Sequence, residues 1–282
     1  MKMAKLLIAG SLIGPGLAFL SIAGLATAAS TIAASAATVI LTDSSYSDVT
    51  ATPSFNNTTG GTVTAAACST CGAGGVPGLE LIFDYTNATA VGSGHTSDAG
   101  LIDNVLTYNP SVQGAIATLN ASFQKDILLT GLSSSQFGFI QSTLRLVIEQ
   151  DNSYYLDTAA ISPSWFCTST NCSSGFISFS ISGQTALSFD LFDFTTNTVT
   201  ASQHPNFSGA AMLFGVESQA PGFGGARPNL GIGQTGTVIY DPLVITVNQT
   251  PLPAALPLFA SGLGAMGLFG WRRKWKATIA AA

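Results

Sequence analysis

Four cysteines fall in two close pairs, Cys68-x2-Cys71 and Cys167-x4-Cys172. Spacings like these serve three chemistries: disulfides, a four-thiolate zinc site or a redox-active pair. Two local disulfides suit best, because each pair lies among small or polar loop residues, and three connectivities stay open. A redox pair opens a helix after a strand, whereas Cys68-Ser69-Thr70-Cys71 runs into Gly72-Ala73-Gly74-Gly75.

The aromatic residues Trp165, Tyr154 and Tyr155 lie near the second cysteine pair and are the candidates for stacking on sugar rings. Core anchoring is the competing role for each. Asp151-Asn152 and the pair Asp190/Asp193 offer oxygens of the kind that bind calcium on β-loops. Turn formation explains Asp151 equally well. No other cofactor or metal is expected.

Catalytic constellations are missing. His95 and His204 are the only histidines, no G-x-S-x-G elbow occurs, and no histidine sits in an H-E-x-x-H pattern. Glu80, Glu149, Glu217 and several aspartates could supply a carboxyl pair for glycoside hydrolysis, but no strand motif groups them. Two G-x-G-x-x-G matches, at 231–236 and 262–267, precede no strand-to-helix turn that could hold a pyrophosphate. The chain reads as non-catalytic.

The elements that must position these residues are strands. Leu79 to Tyr85 alternates apolar and polar, and Ala117, Leu119, Ala121 and Phe123 share one face of another strand. Leu144 to Gln150 and Tyr154 to Leu156 flank Asp151-Asn152-Ser153, a hairpin signature. Gly175 to Gly183 brackets a further strand, and Thr237–Tyr240 and Leu243–Val247 are split by Asp241-Pro242. Short strands between Gly, Ser, Asn and Pro argue for an all-β fold, a single jelly-roll-like β-sandwich over residues 38–249.

Charge is sorted along the chain. Charged residues make up 8% of it, against about 25% in ordinary globular proteins. All 14 acidic residues lie between Asp43 and Asp241, against three basic residues there, so the body carries −11. Nucleic acid is excluded as a partner, since nothing could displace phosphate counterions.

The ends address the protein. Residues 1–28 read as a signal peptide: Lys2 and Lys5, an apolar stretch, then Ala26-Thr27-Ala28 for cleavage. A small-residue linker covers 29–37. Residues 250–282 hold Pro251-Leu252-Pro253, the apolar run Leu256 to Trp271, and then Arg272, Arg273, Lys274 and Lys276. A helix of 16 residues spans roughly 24 Å, short of the ~30 Å hydrocarbon core. Basic residues after such a run place it on the cytoplasmic side.

This tail resembles a PEP-CTERM protein-sorting signal. Its Pro-containing motif is nearest the V-P-L-P-A variant, with Leu252 where the name-giving motif has Glu, and Arg272-Arg273-Lys274 match the terminal basic cluster. The resemblance implies an exported protein of a Gram-negative envelope, at the outer surface or in the extracellular matrix. It also implies transient retention in the inner membrane by the tail helix, processing by an exosortase-like enzyme, and association with exopolysaccharide. The expected function is a non-catalytic surface or matrix protein. The alternative is a carbohydrate-binding β-sandwich module, and a secreted hydrolase comes third.

Overall fold

The computed structural model describes residues 36–250, except 58, 88–96, 132–137, 142, 162–163, 168–170 and 220–233. The signal peptide, most of the linker and the sorting-signal residues from Pro251 onward lie outside the described residues. Ser35–Leu252 cluster as one unit.

The chain runs β1 (Thr38–Thr42), β2 (Val49–Ala51), β3 (Phe55–Asn56), β4 (Thr62–Cys68), β5 (Gly78–Asp84), β6 (Ser97–Tyr108), a helical turn α1 (Pro110–Gln113), and β7 (Ile116–Thr130). It continues with β8 (Gly138–Gln141), β9 (Thr143–Gln150), β10 (Ser153–Asp157), β11 (Ser164–Cys167), β12 (Cys172–Ser173) and β13 (Ile177–Gln184). It ends with β14 (Phe189–Asp193), β15 (Thr198–Thr200), β16 (Met212–Gln219), β17 (Thr235–Tyr240) and β18 (Val244–Gln249). The protein is all-β, a sandwich of two antiparallel sheets.

In the first sheet β7 is the spine. Along one side it pairs with β12 and β13, and along the other with β17 and β18 in succession. Strand β5 then joins β17, β4 joins β5, and β1 joins β18. The second sheet runs β15-β14-β10-β9-β16-β6-β2, with β3 also on β6. Strands β8 and β11 pair separately.

The alternation seen in the sequence fills the space between the sheets. Leu79, Leu81 and Phe83 of β5 are buried while Glu80, Ile82 and Asp84 are only partly covered. They meet Leu101, Leu146, Ile148, Phe214 and Val216 of the second sheet in one core. In β7 the expected inward face holds for Leu119, Ala121 and Phe123 but not for Ala117. A register shift against β18 at Asn248/Gln249 puts Ile116 into the core instead. An irregularity of this kind displaces every side chain beyond it by one face.

Turn chemistry sets the register of the β9–β10 hairpin. Asp151 and Asn152 have φ of 52° and 60°, the left-handed pair that a two-residue hairpin turn needs. Ser153 already pairs with Gln150. The loop is therefore one residue shorter than Asp151-Asn152-Ser153.

Because Phe83 faces the core and Ile82 the far side of the same strand, Phe83→Ala is expected to cost about 3–5 kcal/mol of unfolding free energy. Ile82→Ala is expected to cost no more than about 1 kcal/mol. Urea denaturation of the two variants checks this, and equal losses would contradict the assigned faces.

Candidate functional site

The second sheet has a face turned away from the core, and strand pairing lays it out in rows. Successive side chains on a strand point to opposite faces. Leu144, Leu146 and Ile148 of β9 enter the core, so Arg145, Val147 and Glu149 take the other face. By the same rule β16 contributes Leu213, Gly215 and Glu217, β10 contributes Tyr154 and Leu156, and β6 contributes Asp98, Gly100 and Ile102. Phe192 stands opposite Tyr154, which stands opposite Glu149, which stands opposite Leu213. Leu156, Val147, Gly215 and Ile102 form the next row, and Arg145, Glu217 and Gly100 the one after.

The middle of this face is dry. Ile102, Val147, Leu156, Phe192 and Phe194 form a second apolar cluster, with Tyr154 and Leu213 against it. Phe194 follows β14 and folds back over the sheet. Its ring lies at right angles to Phe192 (centroids 4.8 Å, 88°) and to Tyr154 (5.4 Å, 87°). Its tip would lie 3.2 Å from a Cβ on Gly100, so this glycine makes room for the ring.

Where the cluster reaches the edge of the sheet it opens into a pocket of about 280 Å³. Tyr154, Phe192 and Phe194 line it, with Asn152, Asp193 and Thr200 as polar neighbours and Pro53 closing one side. Asp193 is held in place by its own loop: Thr195 donates to Oδ1 through its amide (2.7 Å) and its hydroxyl (2.6 Å), and the Thr196 hydroxyl donates to Oδ2 (2.9 Å). The Thr195 hydroxyl and amide, with Thr196, hold this carboxyl below its ordinary range. Burial raises the pKa of Tyr154, and the neighbouring Glu149 carboxylate adds to the effect.

Of the three aromatic candidates, the structure places Tyr154 in the pocket. Tyr155, its neighbour on the strand, points the opposite way and packs against the main core. The Trp165 side chain lies outside the described residues. Phe192 and Phe194 complete the site and were missed in the sequence. Their signal was the spacing in Phe189-Asp190-Leu191-Phe192-Asp193-Phe194, which carries aromatics on both faces of one strand.

A pair of acids lies further along the same face. Asp98 and Glu217 are fully buried, and none of their four carboxyl oxygens receives a hydrogen bond from a donor. They are within hydrogen-bonding reach of each other, which requires a proton between them. Burial pushes Asp98 up to about 7, against the opposing pull of its contact with Glu217 and of the Arg145 charge. Burial, and after it the Asp98 charge, raise Glu217 well above the ordinary carboxyl range. From the facing sheet, Lys125 is also buried, which lowers it to about 7 against the opposing pull of Glu217. Its Nζ lies 5.9 Å from the Tyr240 ring centre, and the Tyr240 hydroxyl donates to the Glu217 main-chain oxygen (3.3 Å). Two acids in contact and sealed from water leave no room for the sugar and water that a glycosidase pair must flank.

Cys68 and Cys71 are joined in a disulfide, which removes two of the four thiolates a zinc site would need. Cys172 is also disulfide-bonded, and the Cys167 side chain lies outside the described residues. His204 Nδ1 contacts the Phe189 carbonyl at 2.7 Å and Asp190 at 3.5 Å, pinning its loop to β14. His95 lies outside the described residues. The backbones of Asp151 and Asn152 form the hairpin turn, and the carboxylates of Asp190 and Asp193 are contacted by His204 and by the threonines. Among the described residues no group of three His, Cys, Asp or Glu is placed to hold a metal ion.

No family model and no curated protein matches the chain. Among solved structures, it is similar to TmCBM61 in complex with β-1,4-galactotriose at 8% identity, covering 72% of this chain and 90% of that one, with a TM-score of 0.27. It is similar to the CBM22-1 xylan-binding domain from Paenibacillus barcinonensis at 7% identity, covering 77% and 97%, with a TM-score of 0.29. It is similar to an exo-β-agarase at 12% identity, covering 76% of this chain and 25% of that one, with a TM-score of 0.32. Scores of this size fall short of a shared fold, so the architecture rests on the strand pairings above.

The buried charges fix how stability depends on pH. Asp98 and Glu217 keep their proton in the folded state after the unfolded chain has lost it, so stability falls as pH rises from the ordinary carboxyl range toward 7. Lys125 sheds its proton near 7 when folded but near 10.5 when unfolded, so stability recovers as pH rises between those values. Chemical denaturation across pH is expected to show a minimum near neutrality, on the order of 3 kcal/mol below the acid value. Glu217→Gln, whose amide can donate to Asp98, is expected to flatten the acid limb. An unchanged slope in that variant would contradict the shared proton.

Proposed function

We propose that this protein is exported to the cell envelope or extracellular matrix and holds a polysaccharide there through the pocket at Tyr154, Phe192 and Phe194, without catalysing its breakdown. The pocket carries the reading. It combines an apolar aromatic floor with a rim of amide, hydroxyl and carboxylate groups. A sugar ring presents an apolar face and a hydroxylated edge, and both find their counterparts here. The position also suits a polymer, because a pocket at a sheet edge lets a chain continue on either side.

In this reading the sandwich is a jelly roll. The order β5-β17-β7-β13 facing β6-β16-β9-β10 supports it. Residues 1–28 are the export signal, and residues 250–282 are a PEP-CTERM-like sorting tail that an exosortase-type enzyme removes after brief retention in the inner membrane. The exopolysaccharide of the producing cell is the natural partner. Trp165 is kept as a second stacking position.

Titration of the full-length protein with oligosaccharides tests the pocket. Tyr154→Ala is expected to weaken binding about tenfold or more, with Tyr155→Phe near wild type. Absence of any glycan binding would leave a plain structural matrix protein. For the tail, intact mass of native material is expected to end near Pro253, and a C-terminus still carrying Arg272 would sink the processing claim.

A further inference from the structure

The pocket's charge narrows its ligand. This step rests on the pocket being a glycan site, and it concerns which glycan. Asp193 is the only charged residue among the described residues that line the pocket. Three hydrogen bonds from Thr195 and Thr196 fix its carboxylate and keep it ionised. The Thr196 amide adds a fourth contact, so the carboxylate offers its charge rather than a free acceptor position. Glu149 stands directly opposite Tyr154 on the next strand and adds a second acid to this end of the face.

Among the described residues the lining includes no Lys, Arg or His. Arg145, on this face, stands directly opposite Glu217, two rows away from Tyr154. The body as a whole carries −11. A uronate or sulfated sugar would meet like charge with nothing to offset it.

The aromatic geometry favours the opposite sign. Phe192 and Phe194 are 4% and 1% exposed and Phe194 props Tyr154 at 87°, so the half-buried Tyr154 ring is the aromatic surface offered beside a fixed carboxylate. Aromatic π-systems attract cations, most strongly where water is displaced. We infer that the pocket selects a sugar bearing a free ammonium group, a de-acetylated hexosamine unit of a polysaccharide, with Asp193 as its counter-charge. Tyr154 supplies the half-buried ring, and Asn152 and Thr200 are left for the hydroxyls.

The experiment compares three probes of equal length on the full-length protein by titration calorimetry: glucosamine oligomers, their N-acetylated counterparts and uronic acid oligomers. Glucosamine oligomers are expected to bind at least about tenfold more tightly than the acetylated ones. The preference is expected to shrink with added salt and to vanish as pH rises past the titration of the sugar amine. In Asp193→Asn, whose side-chain oxygen can still accept from Thr195, the preference for the glucosamine oligomer is expected to collapse. The salt and pH series on the wild type test the claim even where that variant is unstable. Equal or tighter binding of the acetylated oligomer, or binding of the uronate, overturns the ammonium inference and leaves the glycan site standing. If no probe binds and Tyr154→Ala changes nothing, the glycan reading falls as well.

Discussion

The constraint on which this structure depends is that the middle of β9, β16 and β6 is covered on both faces. Their inward residues fill the space between the sheets, and on the outward side Ile102 and Val147 cluster with Leu156, Phe192 and Phe194. Arg145 and Glu149 of β9 stay partly exposed. A polar group in the sealed part must find a partner or change its protonation. Asp98 and Glu217 do the second. The same covering keeps the Phe192–Phe194 floor dry where it reaches the sheet edge and opens.

Much of this was legible in the sequence because strand periodicity is local. The inward set of β5 and the hairpin after Gln150 follow from alternation and from a turn of Asp and Asn. The faces themselves are a different matter. Tyr154 and Tyr155 are neighbours on one strand and must point opposite ways, so at most one could meet a ligand, and alternation alone does not say which side is the core. Ile116 replaced Ala117 through a register shift against β18, a pairing with a strand more than a hundred residues away. Asp98 and Glu217 meet for the same kind of reason. Nothing near either residue in the chain marks it as half of a pair. Phe192 and Phe194 were hidden differently, since an aromatic-rich run reads as core wherever it occurs.

The buried acids and the pocket share a sheet face but use charge in different ways. In the pair, exclusion of water makes ionisation costly and a proton is retained. At Asp193, three short hydrogen bonds from an exposed loop make ionisation easy. Carboxyl groups of one sheet thus differ in charge because the Asp98–Glu217 pair is sealed and Asp193 is solvated and bonded.

The pairing of β1 with β18 has a mechanical consequence. Thr38 lies opposite Asn248, and the Gln249 amide donates to the Ala37 carbonyl at 2.9 Å. The chain therefore enters and leaves the sandwich at one spot, and that spot is on the first sheet, whereas the pocket is on the second. Tension applied at Thr250 would run along β18, which is hydrogen-bonded on both sides, to β1 and to β7. Two ladders would then be loaded in shear, many rungs at once, instead of being unzipped one rung at a time.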